Sequence, residues 1–184
     1  MLAAGAHDCM ITIYSSKFSL RGEKNTEICE LKPVRRLKGH GSYITHLDWS
    51  VDNRVLQSTC GDYEILFWDI KEGKHWMAAG APDVKWGTYT CSLGFPVMGV
   101  WAPCSDGTDI NSVDVSYQRN LVVIGDDFAG VKVFNYPCVV KDAPCLLCSG
   151  HSSHVLNVKF YSNGDNIVSV GGNDKAVILW QLSR

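Results

Sequence analysis

Gly39-His40 is followed about 28 residues on by Trp68-Asp69, and Gly150-His151 at nearly the same interval by Trp180-Gln181. A Gly-His pair and a tryptophan, held twice at one spacing, constrain the fold more than any other feature of this chain. Between each pair and its tryptophan, apolar and polar residues alternate with the period of two that marks strands with one buried face. The first copy reads as strands Tyr43–Trp49, Arg54–Thr59 and Glu64–Asp69, the second as Val155–Phe160, Ile167–Val170 and Ala176–Trp180. Val51-Asp52-Asn53 and Gly61-Asp62-Tyr63 supply turns, since Asp, Asn and Gly accept the tight backbone geometry a turn needs. No long helical period is present.

Such a frame, in units of about 40–45 residues, marks WD-type repeats, each of which folds as one four-stranded blade of a β-propeller. The expected fold is therefore all-β: a partial, open WD-type β-propeller of about three and a half four-stranded blades. The expected bounds are 1–38 for an incomplete blade, 39–79 for a full one, 80–149 for an atypical blade with an inserted hairpin, and 150–184 for a blade lacking its outer strand. In the first, Met1–Ala4 and Cys9–Tyr14 read as inner strands, polar Ser15–Asn25 as a loop and Val34–Leu37 as the outer strand. Lys74–Ala78 reads as the fourth strand of the second. The third holds Ile110–Ser116, Leu121–Gly125, Val131–Phe134 and Leu146–Cys148. Between Gly80 and Asp109 the chain is long for a structureless loop. Tyr89–Leu93 and Val97–Trp101, joined by Gly94-Phe95-Pro96, are expected to pair there as a hairpin.

The repeated residues read as locks between strands. In WD-type repeats a loop histidine bonds an Asp of the turn before the third strand and a Ser or Thr of the second strand, which in turn bonds the tryptophan indole. Buried polar groups specify geometry when every one is partnered. His40, Ser58, Asp62 and Trp68 supply all four members. His151, Asp174 and Trp180 supply three, with Val170 counted at the hydroxyl position. The first unit has Asp8 six residues before Tyr14 with Ala4 at the hydroxyl position, and the third has Asp127 before Phe134 with no Gly-His pair.

Lys+Arg number 17 against Asp+Glu 19, a net charge of −2, so no basic excess exists to draw nucleic acid. No apolar run reaches the length of a membrane helix, and the first residues lack the charged leader of a signal peptide. The cysteines then read as reduced thiols of a cytoplasmic protein. Cys145-Leu146-Leu147-Cys148, with His151 and His154 nearby, has the form of a zinc half-site, but its alternation favours a strand, so no metal and no cofactor is expected. Asp106, Asp109, Asp126 and Asp127 form the densest acid cluster; turn capping is favoured over Ca²⁺ binding or acid–base chemistry. Cys104 has no evident His and Asn/Asp partners to make it a nucleophile. No enzyme motif occurs, and an enzyme would need a pocket near Asp126-Asp127. Arg35, Arg36 and Lys38 are the one tight basic group, split by strand alternation, which disfavours a phosphopeptide pocket.

The strings Gly39–Ser50, Gly61–Ile70, Thr88–Phe95, Gly99–Trp101, Ser105–Asn111, Gly125–Phe128, Tyr136–Cys138 and Gly150–Val155 are spread over nearly the whole chain. In them the chain resembles the last blades of the second propeller in the echinoderm microtubule-associated protein-like family. Ser105–Asn111 and Gly125–Phe128 are the strings most specific to it. The resemblance implies a non-enzymatic scaffold of the cytoskeleton with tubulin, microtubules and other proteins as partners, and neither nucleic acid nor membrane. The coiled coil and basic region that many family members use on the microtubule lattice have no counterpart in this sequence. Tyr89, Trp101, Asp106 and Asp109 are the expected partner surface. The alternative is a generic WD-repeat platform for another peptide or protein.

Overall fold

The structure, a computed structural model, describes residues 1–21, 26–76, 83–103, 105–162 and 164–182. Gly22 to Asn25, the Met77-Ala78 end of the expected Lys74–Ala78 strand, and Cys104 lie outside the described residues. The chain forms antiparallel sheets grouped in two compact units, Met1–Ala81 and Pro82–Arg184, and its fold is a partial β-propeller of four sheets.

The first unit holds β1 (Leu2–Gly5), β2 (Met10–Arg21) and β3 (Thr26–Lys38) in one sheet. Its second sheet runs in order through β4 (Ile44–Trp49), β5 (Val55–Cys60), β6 (Ile65–Asp69) and β7 (Lys74–His75). Ile11, Ile13 and Leu37 from one sheet and Leu56, Leu66, Trp68 and Ile70 from the other form a single buried cluster. The core thus lies between the sheets, as in any stack of amphipathic layers. Arg35 donates to the carbonyls of Glu72 (3.0 Å) and Lys71 (2.9 Å), tying the sheets at their polar edge.

One expectation fails here. Ser15–Arg21, the described part of the expected Ser15–Asn25 loop, is strand: β2 continues to Arg21 and pairs with β3 through Leu20↔Glu27 and Arg21↔Thr26. The pair forms a ribbon whose far half has exposed residues such as Phe18. An exposed apolar residue such as Phe18 breaks the in-and-out alternation by which a half-buried strand shows in a sequence.

In the second unit β8 (Ile110–Ser116), β9 (Leu121–Asp126), β10 (Gly130–Asn135) and β11 (Leu146–Ser149) make a four-stranded sheet. β12 (Val155–Phe160), β13 (Asn166–Gly171) and β14 (Val177–Gln181) make a three-stranded one. Val123, Val131 and Val133 meet Val155, Val158 and Ile167 between them. A polar seam runs beside this core. Lys159 pairs with Asp114 at 2.7 Å, the Phe160 amide donates to Asp114 at 2.8 Å, and the Val158 amide donates to Ser112 at 3.2 Å.

The repeat is visible in register. The first strand of three sheets carries a bulge at its second residue, between Ile44 and His46, Ile110 and Ser112, and Val155 and Asn157. This makes Cys60, Asp126 and Gly171, the partners of Ile44, Ile110 and Val155, equivalent positions. Gly39 and Gly150 also share one role. A Cβ on either would sit 2.9 and 2.8 Å from the tip of Trp68 and Trp180 respectively, so the loop can cross its indole only at glycine. That contact explains the Gly of each Gly-His pair.

The expected hairpin of Tyr89–Leu93 and Val97–Trp101 does not form. Phe95–Val100 is a 3₁₀ helix with Pro96 in its first turn, where a missing N–H costs nothing. Val97 and Val100 are buried; their spacing of three suits that helix, in which residues i and i+3 eclipse. Two backbone bonds, Gly99 to Cys138 and Cys138 to Pro96, both 2.8 Å, fix it to the chain that follows β10.

Candidate functional site

The two Gly-His loops build polar bridges of the same design. In the first unit Leu56↔Trp68 and Ser58↔Leu66 are cross-strand pairs, so Ser58 and Trp68 share a face. The Trp68 indole donates to Ser58 Oγ at 2.8 Å, and His40 Nε2 lies 2.6 Å from the same oxygen. All three residues are buried.

In the second unit the hydroxyl is Ser169. The Trp180 indole donates to its Oγ at 2.7 Å and His151 Nε2 is 2.7 Å away. Val170 is not that position, although counting back from the tryptophan points to it. Ser58 precedes Trp68 by 10 residues and Ser169 precedes Trp180 by 11, while each serine follows its histidine by 18. The β13–β14 turn is one residue longer, and a slip of one residue sends a side chain to the other face of the sheet.

The longer turn also decides which acid meets the histidine. Asp174 lies 2.8 Å from His151 Nδ1, accepts the Ser152 amide at 3.1 Å, and caps its own turn by accepting the Ala176 amide at 3.1 Å. The Ala176 amide, His151 and the Ser152 amide hold its carboxyl below 3.8 against the opposing effect of burial. In the first unit Asp62 is exposed, and the acid beside His40 Nδ1 is Glu64, at 3.5 Å. Burial pushes the His40 imidazole below 6.5 more than the Glu64 carboxylate draws it up. His40 Nδ1 is buried without a hydrogen-bond partner among the described residues. One donor atom each of His40, Cys60 and Glu64 falls within 4.8 Å of the others. Sequence spacing did not mark Cys60 or Glu64, because the triad closes only when a loop is folded back over a turn.

The expected partner surface divides. Tyr89 is 1% exposed and its hydroxyl donates to the Leu93 carbonyl at 3.0 Å, so it packs the interior and offers no partner a contact. Trp101 is half-buried and donates to the Ser92 carbonyl at 2.9 Å. Asp106 is exposed and Asp109 half-buried. Asp106 accepts from both the amide and hydroxyl of Thr108, and Asp109 accepts the Asp106 amide at 3.0 Å. Asp126 caps the next turn by accepting the Phe128 and Gly130 amides and pairs with Lys132 at 2.7 Å. Asp127 accepts from Asn111 at 2.7 Å. These acids do turn chemistry. A depression beside them, lined by Asp109, Asp126, Lys132 and the exposed Phe128, has a volume of about 30 Å³, room for about one water molecule.

Comparison with known proteins places this arrangement. The family described as "Echinoderm microtubule-associated protein second beta-propeller" matches residues 1–182. The chain belongs to that family. Echinoderm microtubule-associated protein-like 4 of Homo sapiens is 46% identical over 183 residues, which is 98% of this chain and 18% of the relative. Echinoderm microtubule-associated protein-like 1 of Mus musculus is 45% identical over 182 residues, 98% of this chain and 21% of the relative. Echinoderm microtubule-associated protein-like 3 of Mus musculus is 45% identical over 185 residues, 98% of this chain and 20% of the relative. The chain therefore spans about a fifth of the length of these relatives. The family is a microtubule-associated WD-type propeller family, structural and not known for enzymes. No described helix is long and apolar enough to cross a membrane.

Proposed function

We propose that this chain is a non-enzymatic interaction module of the cytoskeleton, cytoplasmic in location, that meets tubulin or microtubules and other proteins through the outer surface of its second unit. The observation that carries the reading is the match to a microtubule-associated propeller family over residues 1–182. The contact surface in this reading is Trp101, Asp106 and Asp109 with the neighbouring Phe128, which is 74% exposed. An exposed aromatic beside half-buried partners is the composition of a contact anchor. The His–Ser–Trp bridges are structural: each ties the Gly-His loop of its own blade to its sheet, within blades bounded at 1–38, 39–79, 80–149 and 150–184. Arg35 spends its guanidinium on backbone carbonyls, which speaks against a phosphopeptide pocket at the basic group.

The test is co-sedimentation of the chain with assembled microtubules beside gel filtration with soluble tubulin. The reading expects saturable binding to at least one form, weakened by Phe128→Ser and by Asp106→Lys, neither of which touches the core. Binding to neither form would overturn it. Binding that both variants leave unchanged would remove the proposed surface.

A further inference from the structure

The two Gly-His loops differ at one atom. His151 Nδ1 has its carboxylate, Asp174, at 2.8 Å. His40 Nδ1, on a side chain 1% exposed, has no hydrogen-bond partner among the described residues and faces Glu64 Oε2 at 3.5 Å. A buried ring nitrogen whose nearest acid stands too far for a good hydrogen bond is costly, and each such group in a folded protein calls for an explanation.

The residues around it change in step. Cys60 and Gly171 are equivalent in register, as the partners of Ile44 and Val155. The Cys60 amide bonds the Glu64 carbonyl and the Gly171 amide bonds the Ala176 carbonyl, which makes Glu64 and Ala176 equivalent. Where the second unit has Gly and Ala beside a histidine held to its acid at 2.8 Å, the first has a thiol and a carboxylate beside a histidine whose Nδ1 meets that carboxylate only at 3.5 Å. Three donors of different type, from a loop, a strand end and a turn, converge within 4.8 Å.

We propose that His40, Cys60 and Glu64 form a binding site for Zn²⁺ or a similar borderline-soft divalent cation. An imidazole, a thiolate and a carboxylate are the donors zinc takes, with bonds of ~2.0–2.3 Å in a tetrahedron. Ligand atoms on such an ion stand about 3.5 Å apart, the separation already found between Nδ1 and Oε2. Cys60 offers its sulfur within 4.8 Å of both other donor atoms, so closing on one ion asks for a side-chain adjustment on the order of 1 Å. Ser58 orients the histidine. With its proton on Nε2, directed at Ser58 Oγ 2.6 Å away, Nδ1 presents its lone pair to the ion, the outer hydrogen bond that metal-binding histidines usually make. On binding, the Cys60 thiol releases its proton to solvent, and the ion's two charges are balanced by thiolate and carboxylate. Glu64 has a side chain 47% exposed, so the fourth position opens to water. A thiolate in the set selects against Ca²⁺ and Mg²⁺.

The test is titration of the reduced 184-residue chain with Co²⁺, followed by displacement with Zn²⁺. One equivalent is expected to give a thiolate-to-cobalt charge-transfer band and tetrahedral ligand-field absorption. Cys60→Ser abolishes the charge-transfer band, Glu64→Gln weakens binding about tenfold or more, and Cys145→Ser leaves both unchanged. Circular dichroism shows which variants fold. Should Cys60→Ser not fold, the exposed Glu64→Gln decides. Absence of saturable binding, a band that survives Cys60→Ser or disappears in Cys145→Ser, or full affinity in Glu64→Gln would overturn the proposal.

Discussion

Replacing Ser58 by alanine removes one oxygen and strands two buried groups. Ser58 is 0% exposed, Trp68 2% and His40 7%. Once the oxygen is gone, the Trp68 indole N–H, 2.8 Å away, and His40 Nε2, 2.6 Å away, both lose the partner they share. Each buried group left unpaired costs about 1–3 kcal/mol. The two sit on one oxygen and relax together, so a total of about 3 kcal/mol is expected, well above an ordinary surface change of about 0.5 kcal/mol. At about 2–4 °C per kcal/mol for a chain of this size, the melting temperature should fall by about 6–12 °C. Urea unfolding followed by far-ultraviolet circular dichroism measures the loss without relying on Trp68 as a probe. Trp68→Phe and the double variant complete the cycle, and cancel the volume change at Trp68. The two single costs should exceed the double cost by at least about 0.5 kcal/mol, as for residues in direct contact. A Ser58→Ala cost within about 0.5 kcal/mol of zero, or strict additivity with Trp68→Phe, would refute the bridge.

Ser169→Ala should destabilise by about 2–3 kcal/mol, whereas Val170→Ala, on the opposite face of β13, should cost about 1 kcal/mol or less; urea midpoints of the two variants decide which residue holds Trp180. Asp174, with its carboxyl held below 3.8 in the folded chain, stabilises the fold above the ordinary carboxylate range and loses that contribution as pH falls through the depressed value. Asp174→Asn should therefore be less stable than the parent at pH 6, with the gap narrowing as the pH falls below the ordinary carboxylate range, read from melting temperatures across an acid series. Gly99→Ala places a methyl against the backbone carbonyls of Val140 and Cys138 and should cost about 1–3 kcal/mol, measured by urea unfolding.

The parts of the fold legible in the sequence were those with one wet and one dry face. Val131 and Val133 alternate with Lys132 on β10 because they meet Val155, Val158 and Ile167 across a dry interface, and such strands announce their period. The outer stretch of β2, where Phe18 is exposed, shows no such period and its sequence reads as loop. Val97–Trp101 reads as a strand because Val97 and Val100 stand in a short apolar run, where period alone cannot separate strand from helix, while Phe95–Val100 is the 3₁₀ helix. An aromatic in an insert such as Tyr89 suggests an outer contact, while its ring fills the interior and its hydroxyl is used on a carbonyl. The hydroxyl of the second lock was missed by one residue because turn length, invisible to a fixed offset from the tryptophan, differs between β5–β6 and β13–β14. Counting from the histidine would have found it, since the 18-residue interval is kept in both units.

The central claim is that two units of this chain are locked by the same histidine–serine–tryptophan bridge, and exchange of the indole protons reports on that bridge atom by atom. In ¹⁵N-resolved hydrogen-exchange spectra the Trp68 and Trp180 indole protons should be protected, with Ser58→Ala speeding exchange at Trp68 alone and Ser169→Ala at Trp180 alone. Exchange of both indoles at the rate of a solvent-exposed tryptophan in the parent chain, or no change on removing either hydroxyl, would contradict the account.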